Sequence, residues 1–201
     1  KAKPFRFLLP RKKHIFVPYY PDLAYIHRAP VNEITQECRV LYAGALTKEK
    51  GWKRVMDTMC EAAKKMPQTH FYLDVITKDD CLDLPTYDNL SVRKLDFMPF
   101  LQFCRQIVDY DIFLDLRDID FENTRCLPIK LFYYMACGRP SIYANLSAIS
   151  KGVSEIHQCA QLVNNVVEAA NALCEYVCNR ELYQSHCSNA LHASINKYNW
   201  N

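Results

Sequence analysis

The feature that most constrains this chain is an alternation. Short apolar runs, each closed by glycine, proline or a polar turn, are separated by longer stretches with helical periodicity. Arg39 to Ala43 is such a run and ends at Gly44; His70 to Ile76, Leu90 to Leu95, Asp111 to Leu116 and Pro140 to Ala144 read the same way. Between the first two, Gly51 to Met66 sets Trp52, Val55, Met56 and Met59 on one face and Lys53, Arg54, Asp57 and Glu61 on the other, and Pro67 stops it. Pro99 to Val108 reads as a short helix, and Asn165 to Val177 and Glu181 to Tyr198 as two amphipathic ones. Runs this continuously apolar belong to strands covered on both faces, and helical crossovers between parallel strands are right-handed. The expected fold is an α/β Rossmann-like three-layer sandwich with a parallel sheet.

The composition permits one core of that kind, since half of the 201 residues are apolar. A formal charge of +3 is too small to point to nucleic acid as a partner. The basic cluster Arg6, Arg11, Lys12 and Lys13 fits a solvated linker or contact with an anionic membrane surface. Ten cysteines fall singly through regular segments with no C-x-x-C pair, a pattern of reduced, cytosolic usage. Cys174, Cys178, His186 and Cys187 lie in helical patterns and lack the paired spacing of zinc ligands, so no metal is expected. No run approaches the roughly 18 apolar residues of a membrane span. Five prolines in the first 38 residues leave room for one short strand there, His14 to Val17. Residues 1–13 read as a linker or the remnant of a preceding domain and 14–201 as one domain; the opening Lys1 suggests a piece of a longer protein.

Two segments carry chemistry. In Val40 to Met59, Gly44 ends a strand and Lys50-Gly51 opens a helix at the carboxyl edge of the sheet. Unpaired amides at a helix start attract phosphate, and Lys50 adds a full charge. The segment is neither a P-loop nor a G-x-G-x-x-G fingerprint. The second is Cys126 to Pro140, a nearly all-apolar helix started by Pro128 and stopped by Gly138. There Lys130, Tyr133, Tyr134 and Cys137 share a face, and Leu131, Phe132, Met135 and Ala136 can fill the core. A lysine on such a helix either snorkels to water or meets an anion.

Together these segments resemble GT-B glycosyltransferases of the retaining family 4. Val40-Leu-Tyr-Ala-Gly-Ala-Leu-Thr-Lys-Glu-Lys-Gly51 is similar to the family's V-G-R-L-x-x-E-K-G strand and loop. Leu127-Pro-Ile-Lys-Leu-Phe-Tyr-Tyr-Met-Ala-Cys-Gly-Arg-Pro-Ser-Ile142 is similar to its P-x-K-L-F-E-Y-M-A-x-G-x-P-V-I segment. His14 to Pro18 and Tyr198 to Trp200 resemble the borders of the family's C-terminal half. The resemblance implies that residues 14–201 are the nucleotide-sugar-binding domain, and that a sugar passes from a nucleotide-diphosphate sugar to a glycan or lipid-linked acceptor with retention. It also implies that no metal is needed and that the acceptor is held by a preceding domain. The family's common setting is cytoplasmic, with peripheral contact at the inner face of a membrane.

By the same resemblance Lys50 contacts the diphosphate, and Leu127, Pro128, Ile129 and Lys130 offer a helix start to it. Gly44, Ala45 and Gly51 form the facing loop, and Asp96 and Phe97 lie where the base is cradled. The sequence departs from the family in two places: its arginine after the glycine is Ala45, and its Glu-x7-Glu pair is Arg125 and Tyr133. One expectation is therefore that Arg125 replaces the cation lost at Ala45 and acts with Lys50, while Tyr133 faces the ribose with help from Asp118, Asp120 or Glu122. The other is a catalytically degenerate nucleotide-binding or scaffold module of the same fold. A phosphate-receiving sensor domain, with Asp115 and Asp118 as its acidic pair, would leave the 128–140 segment unexplained.

Overall fold

In the computed structural model, residues 19–31, 33–80 and 87–200 are described; the strand expected over His14 to Val17, the basic cluster and the 1–13 linker lie outside them. The apolar runs become β1 (Glu37–Ala43), β2 (His70–Thr77), β3 (Leu90–Asp96), β4 (Ile112–Asp115) and β5 (Ser141–Ala144). The periodic stretches become α1 (Trp52–Lys65), α2 (Phe100–Gln106), α3 (Ile129–Ala136), α6 (Val166–Cys178) and α7 (Arg180–Asn196). Among the described residues three further α-helices and strands follow: α4 (Ser147–Gly152), α5 (Ile156–Cys159) and β6 (Ala160–Val163). These three are too short to carry a period, which is why the alternation did not foretell them.

All strand pairings are parallel, in the order β3-β2-β1-β4-β5-β6. The chain winds outward from β1 through β2 to β3, then returns to the other side of β1 for β4. The direction of winding therefore reverses between β1 and β4, and ligands of open parallel sheets bind in the crevice at the carboxyl ends of such a pair. Alternate strand residues feed two cores. Val40, Tyr42, Leu73 and Leu114 pack with Val55 and Met59 of α1 and Leu173 of α6. Leu41, Ile76, Phe113 and Tyr143 pack with α3 and α7 on the opposite face.

Tyr134 and Cys137, which spacing sets on one face of α3 with Lys130, are both buried, and the Tyr134 ring stacks on Phe113 at 3.8 Å and 8°. A short helix at the centre of a covered sheet buries more than one stripe, so a phenol and a thiol count there as apolar filling. Among the described residues no helix is long and apolar enough to cross a membrane.

The far end of the chain is pinned at α5. Glu155 accepts hydrogen bonds from Lys197 Nζ at 2.8 Å and Tyr198 Oη at 2.6 Å. The Lys197 ammonium, then the Tyr198 hydroxyl, hold the carboxyl down at about 2. An unfolded glutamate titrates near ~4.3, so on acidification the unfolded chain takes up this proton first. The stabilisation is complete above that value and is lost as pH falls from ~4.3 toward 2. Urea midpoints should therefore drop across that window in the parent chain, and the drop should shrink in Glu155→Gln; identical profiles would remove the role assigned to this carboxylate.

Candidate functional site

At the winding reversal, the loop leaving β1 (44–51) and the loop leaving β4 (116–128) are stitched together. Asp118 N–H donates to the Glu49 carbonyl at 3.1 Å, and Asn123 Nδ2 donates to the same oxygen at 3.2 Å. Gly51, which caps α1, has φ +76°, and a Cβ there would sit 2.0 Å from the Leu116 carbonyl oxygen. Only glycine allows both that backbone conformation and that approach. The Tyr42 hydroxyl donates to the Ala45 carbonyl at 2.6 Å and fixes the other end of the first loop. The start of α1 is thus fastened beside the exit of β4, on the edge of the sheet where α3 also begins.

A cavity of about 520 Å³ opens at this edge. Ala43, Gly44 and Ala45 form one wall; Ile129, Lys130 and Tyr133 of α3 form another; Phe97, Met98, Phe100 and Phe103 close the side toward β3. The Phe100 ring meets Tyr133 edge-on at 5.4 Å, and Lys78 Nζ stands 4.3 Å from the centre of the Phe97 ring. Asp79, after β2, accepts from the Leu46 amide at 2.5 Å and so steadies the β1 loop from the opposite rim. Burial raises the Tyr133 phenol above its ordinary range, which keeps the hydroxyl neutral and able to donate.

Lys130 answers the question its sequence position raised. It does not snorkel to bulk water; its Nζ donates to the Ala43 carbonyl, the last of β1, at 2.6 Å. Burial lowers its pKa; Asp115 opposes that shift, while the charges of Arg117 and Lys50 add to it. Arg117 is itself half-buried and clamped on Asp115 by two hydrogen bonds, Nε to Oδ1 at 2.8 Å and Nη2 to Oδ2. Lys130 and Arg117 thus stand near Asp115, and the Lys50 charge bears on Lys130, beside the first turn of α3, whose amides add positive potential. The excess charge suits an anion, and the aromatic side wall suits a flat ring.

The residues expected at the site divide cleanly. Gly44, Ala45, Phe97, Ile129, Lys130 and Tyr133 meet around the cavity. Lys50 lies exposed at the end of the β1 loop, close enough for its charge to bear on Lys130. Gly51 is buried against Leu116 and acts through the backbone. Pro128 precedes α3 and accepts from the Leu131 amide at 3.3 Å. Asp96 ends β3 exposed, and its neighbour Phe97 lines the cavity instead. Leu127 and Arg125 face a different cavity beyond the start of α3. The Arg125 guanidinium lies 3.3 Å from the centre of the Phe121 ring, and its Nη1 donates to the Phe121 carbonyl at 2.9 Å. Arg125 therefore does not stand where the arginine missing at Ala45 would be needed. Besides Lys50, Arg117 stands near Lys130; its place in an Asp-x-Arg at a strand end is the sequence signal for it, and Lys78 and Asp79 join the cavity with no such signal.

A six-stranded parallel sheet flanked by helices, with a crevice at its winding reversal, defines a Rossmann-like α/β fold. Solved structures narrow the fold further. The chain is similar to the C-terminal domain of a glycosyl transferase group 1 family protein, LpcC, from Francisella tularensis, with 14% identity over 90% of this chain and 100% of that one and a TM-score of 0.67. It is similar to WaaG, a glycosyltransferase involved in lipopolysaccharide biosynthesis, with 14% identity over 83% of this chain, 44% of that one and a TM-score of 0.65. It is also similar to the pneumococcal O-GlcNAc transferase GtfA in complex with UDP and GlcNAc, with 12% identity over 86% of this chain, 35% of that one and a TM-score of 0.58. The chain has the fold of the C-terminal, Rossmann-like half of a GT-B glycosyltransferase. It spans less than half the length of the last two proteins. No family model and no curated protein matches the sequence.

Proposed function

We propose that this chain is the donor-binding half of a glycosyltransferase and holds a nucleotide-diphosphate sugar in the cavity between the β1 loop, the β3 exit and α3. The observation that carries this reading is the half-buried Lys130 at the α3 start, facing the same cavity as Gly44 and Ala45 with two further cations close by. In this arrangement the diphosphate lies against the α3 amides and Lys130, with Lys50 at the solvent side. The base rests on Phe97 and Phe100, and the Tyr133 hydroxyl meets the ribose, where it binds less strongly than a carboxylate would. Charge developing on the departing diphosphate is met by preorganised donors, with no metal required. The sugar passes with retention to a glycan or lipid-linked acceptor presented by another domain, so this half alone binds the donor without turning it over. A cytoplasmic setting suits the singly spaced cysteines.

Calorimetric titration of the chain with UDP and UMP tests the reading. The extra phosphate should improve affinity roughly tenfold, the scale of one charge-assisted contact. Lys50→Ala, at an exposed position, should cost about threefold, because solvent screens its charge. Absence of saturable binding by any nucleoside diphosphate, or equal binding of UDP and UMP, would sink the proposal. The departures at Ala45, Arg125 and Tyr133 favour a second reading, a degenerate module that binds nucleotide without transferring sugar. A full-length protein that binds donor but neither transfers nor hydrolyses it would decide for that alternative.

A further inference from the structure

Beyond the start of α3 lies a second cavity, of about 630 Å³, which shares only Ile129 with the first. Tyr20, Leu127 and Phe132 form much of its apolar lining, with Ala148 and Gly152 of α4 opposite. The floor is built rather than incidental: the Tyr20 ring packs edge-on against Phe132 at 4.9 Å, and Gly152 approaches Leu127 so closely that a Cβ would lie 3.1 Å from it. Two charged residues line this cavity, Arg125 and Lys151, and both are cations. Among the described residues neither forms an ion pair with a carboxylate.

Arg125 is placed for a ligand. Its guanidinium plane is set by the Phe121 ring, and the Phe121 carbonyl engages Nη1, so the remaining donors of a five-donor group stay available. A planar fork of this kind matches the oxygens of a phosphate better than a lysine does. The cavity has the size of those that enclose small organic ligands, and its apolar surface gains from being covered. An uncharged apolar ligand would leave both cations unmatched, whereas a bare anion would leave the floor exposed to water.

We propose that this second cavity binds an amphiphile, with a phosphate ester held by Arg125 and Lys151 and an apolar chain laid over Leu127 and Phe132. The binding of such a molecule does not depend on the transferase reading above, in which the acceptor is presented by another domain. The two cavities meet at Ile129, so a group at the edge of one abuts the edge of the other.

The test is a titration of the 201-residue chain with octyl phosphate below its micelle-forming concentration, beside octyl glucoside and inorganic phosphate. Octyl phosphate should bind at least roughly tenfold more tightly than either control, because each control lacks one of the two contacts. The Arg125→Ala/Lys151→Ala double variant should lose roughly thirtyfold in octyl phosphate affinity, with Tm and UDP affinity unchanged. Lys151→Ala alone, on the exposed side of α4, should lose part of that factor without touching the Phe121 stack. Octyl glucoside binding as well as the phosphate ester would reduce the cavity to apolar docking, and inorganic phosphate binding as well would reduce it to a simple anion site. Either result overturns the proposal, as does an unchanged affinity in the double variant or displacement of octyl phosphate by UDP. Because UDP is titrated separately, failure of the donor reading and failure of this one give different results.

Discussion

Gly51→Ala is expected to lose about 4 kcal/mol of stability or more, enough to leave a domain of ordinary stability close to unfolding. Two causes add at this position. Holding an L-residue in the left-handed conformation costs about 1–2 kcal/mol, and Gly51 has φ +76°. The larger cause is contact: the new Cβ would stand 2.0 Å from the Leu116 carbonyl oxygen, 2.3 Å from its carbon and 2.7 Å from the Arg117 nitrogen. All three are backbone atoms at the exit of β4, so relief requires parting the two stitched loops and shifting the Asp115–Arg117 pair with them. Gly44→Ala is the control. Its Cβ would meet the Tyr42 hydroxyl at 2.9 Å, the end of a side chain, so the loss there should stay near 1 kcal/mol. Urea unfolding of the two variants measures the difference; a Gly51→Ala loss no larger than that of Gly44→Ala would mean that the loops separate freely.

The same comparison indicates what the sequence could and could not reveal. Strands such as Val40 to Ala43 and helices such as α1 announce themselves because burial imposes a period on the residues that make them. The paired start and stop of α3, Pro128 and Gly138, likewise follow from local backbone chemistry. Gly51 could be read as opening a helix, but the carbonyl it leans on comes from Leu116, far along the chain, and no local pattern encodes that contact. Arg125 and Arg117 show the limit most clearly. Both follow β4 and both are cations, yet a salt bridge to Asp115 draws one toward Lys130 while an aromatic ring turns the other toward a different cavity. Spacing along a loop carries no information about which way its side chains turn. The helical face of Lys130 was legible, whereas its partner, the carbonyl of Ala43, depends on β1 and β4 being neighbours.

Lys130→Met should separate binding from folding. The substitution removes a half-buried cation but keeps the length and most of the apolar stem, so the walls around it remain filled. The Ala43 carbonyl loses the bond it accepts at 2.6 Å. Against that loss stands relief from burying a charge beside Arg117 and Lys50, and the net change in stability should fall within about 1 kcal/mol. Affinity for a nucleoside diphosphate has no such offset. A half-buried ammonium contributes charge-assisted hydrogen bonds that water screens only in part, worth about 1.5–3 kcal/mol, so UDP binding should fall roughly tenfold to a hundredfold. The parent chain should also show its own signature at alkaline pH. Burial already lowers the Lys130 pKa, so the ammonium is lost earlier than on an ordinary lysine, and UDP affinity should decline as pH rises through that range. The decline should be absent from the residual binding of Lys130→Met. Should Lys130→Met bind UDP as tightly as the parent chain, with the same pH profile, the diphosphate does not lie at the α3 start, and the donor cavity must be sought elsewhere on the sheet edge.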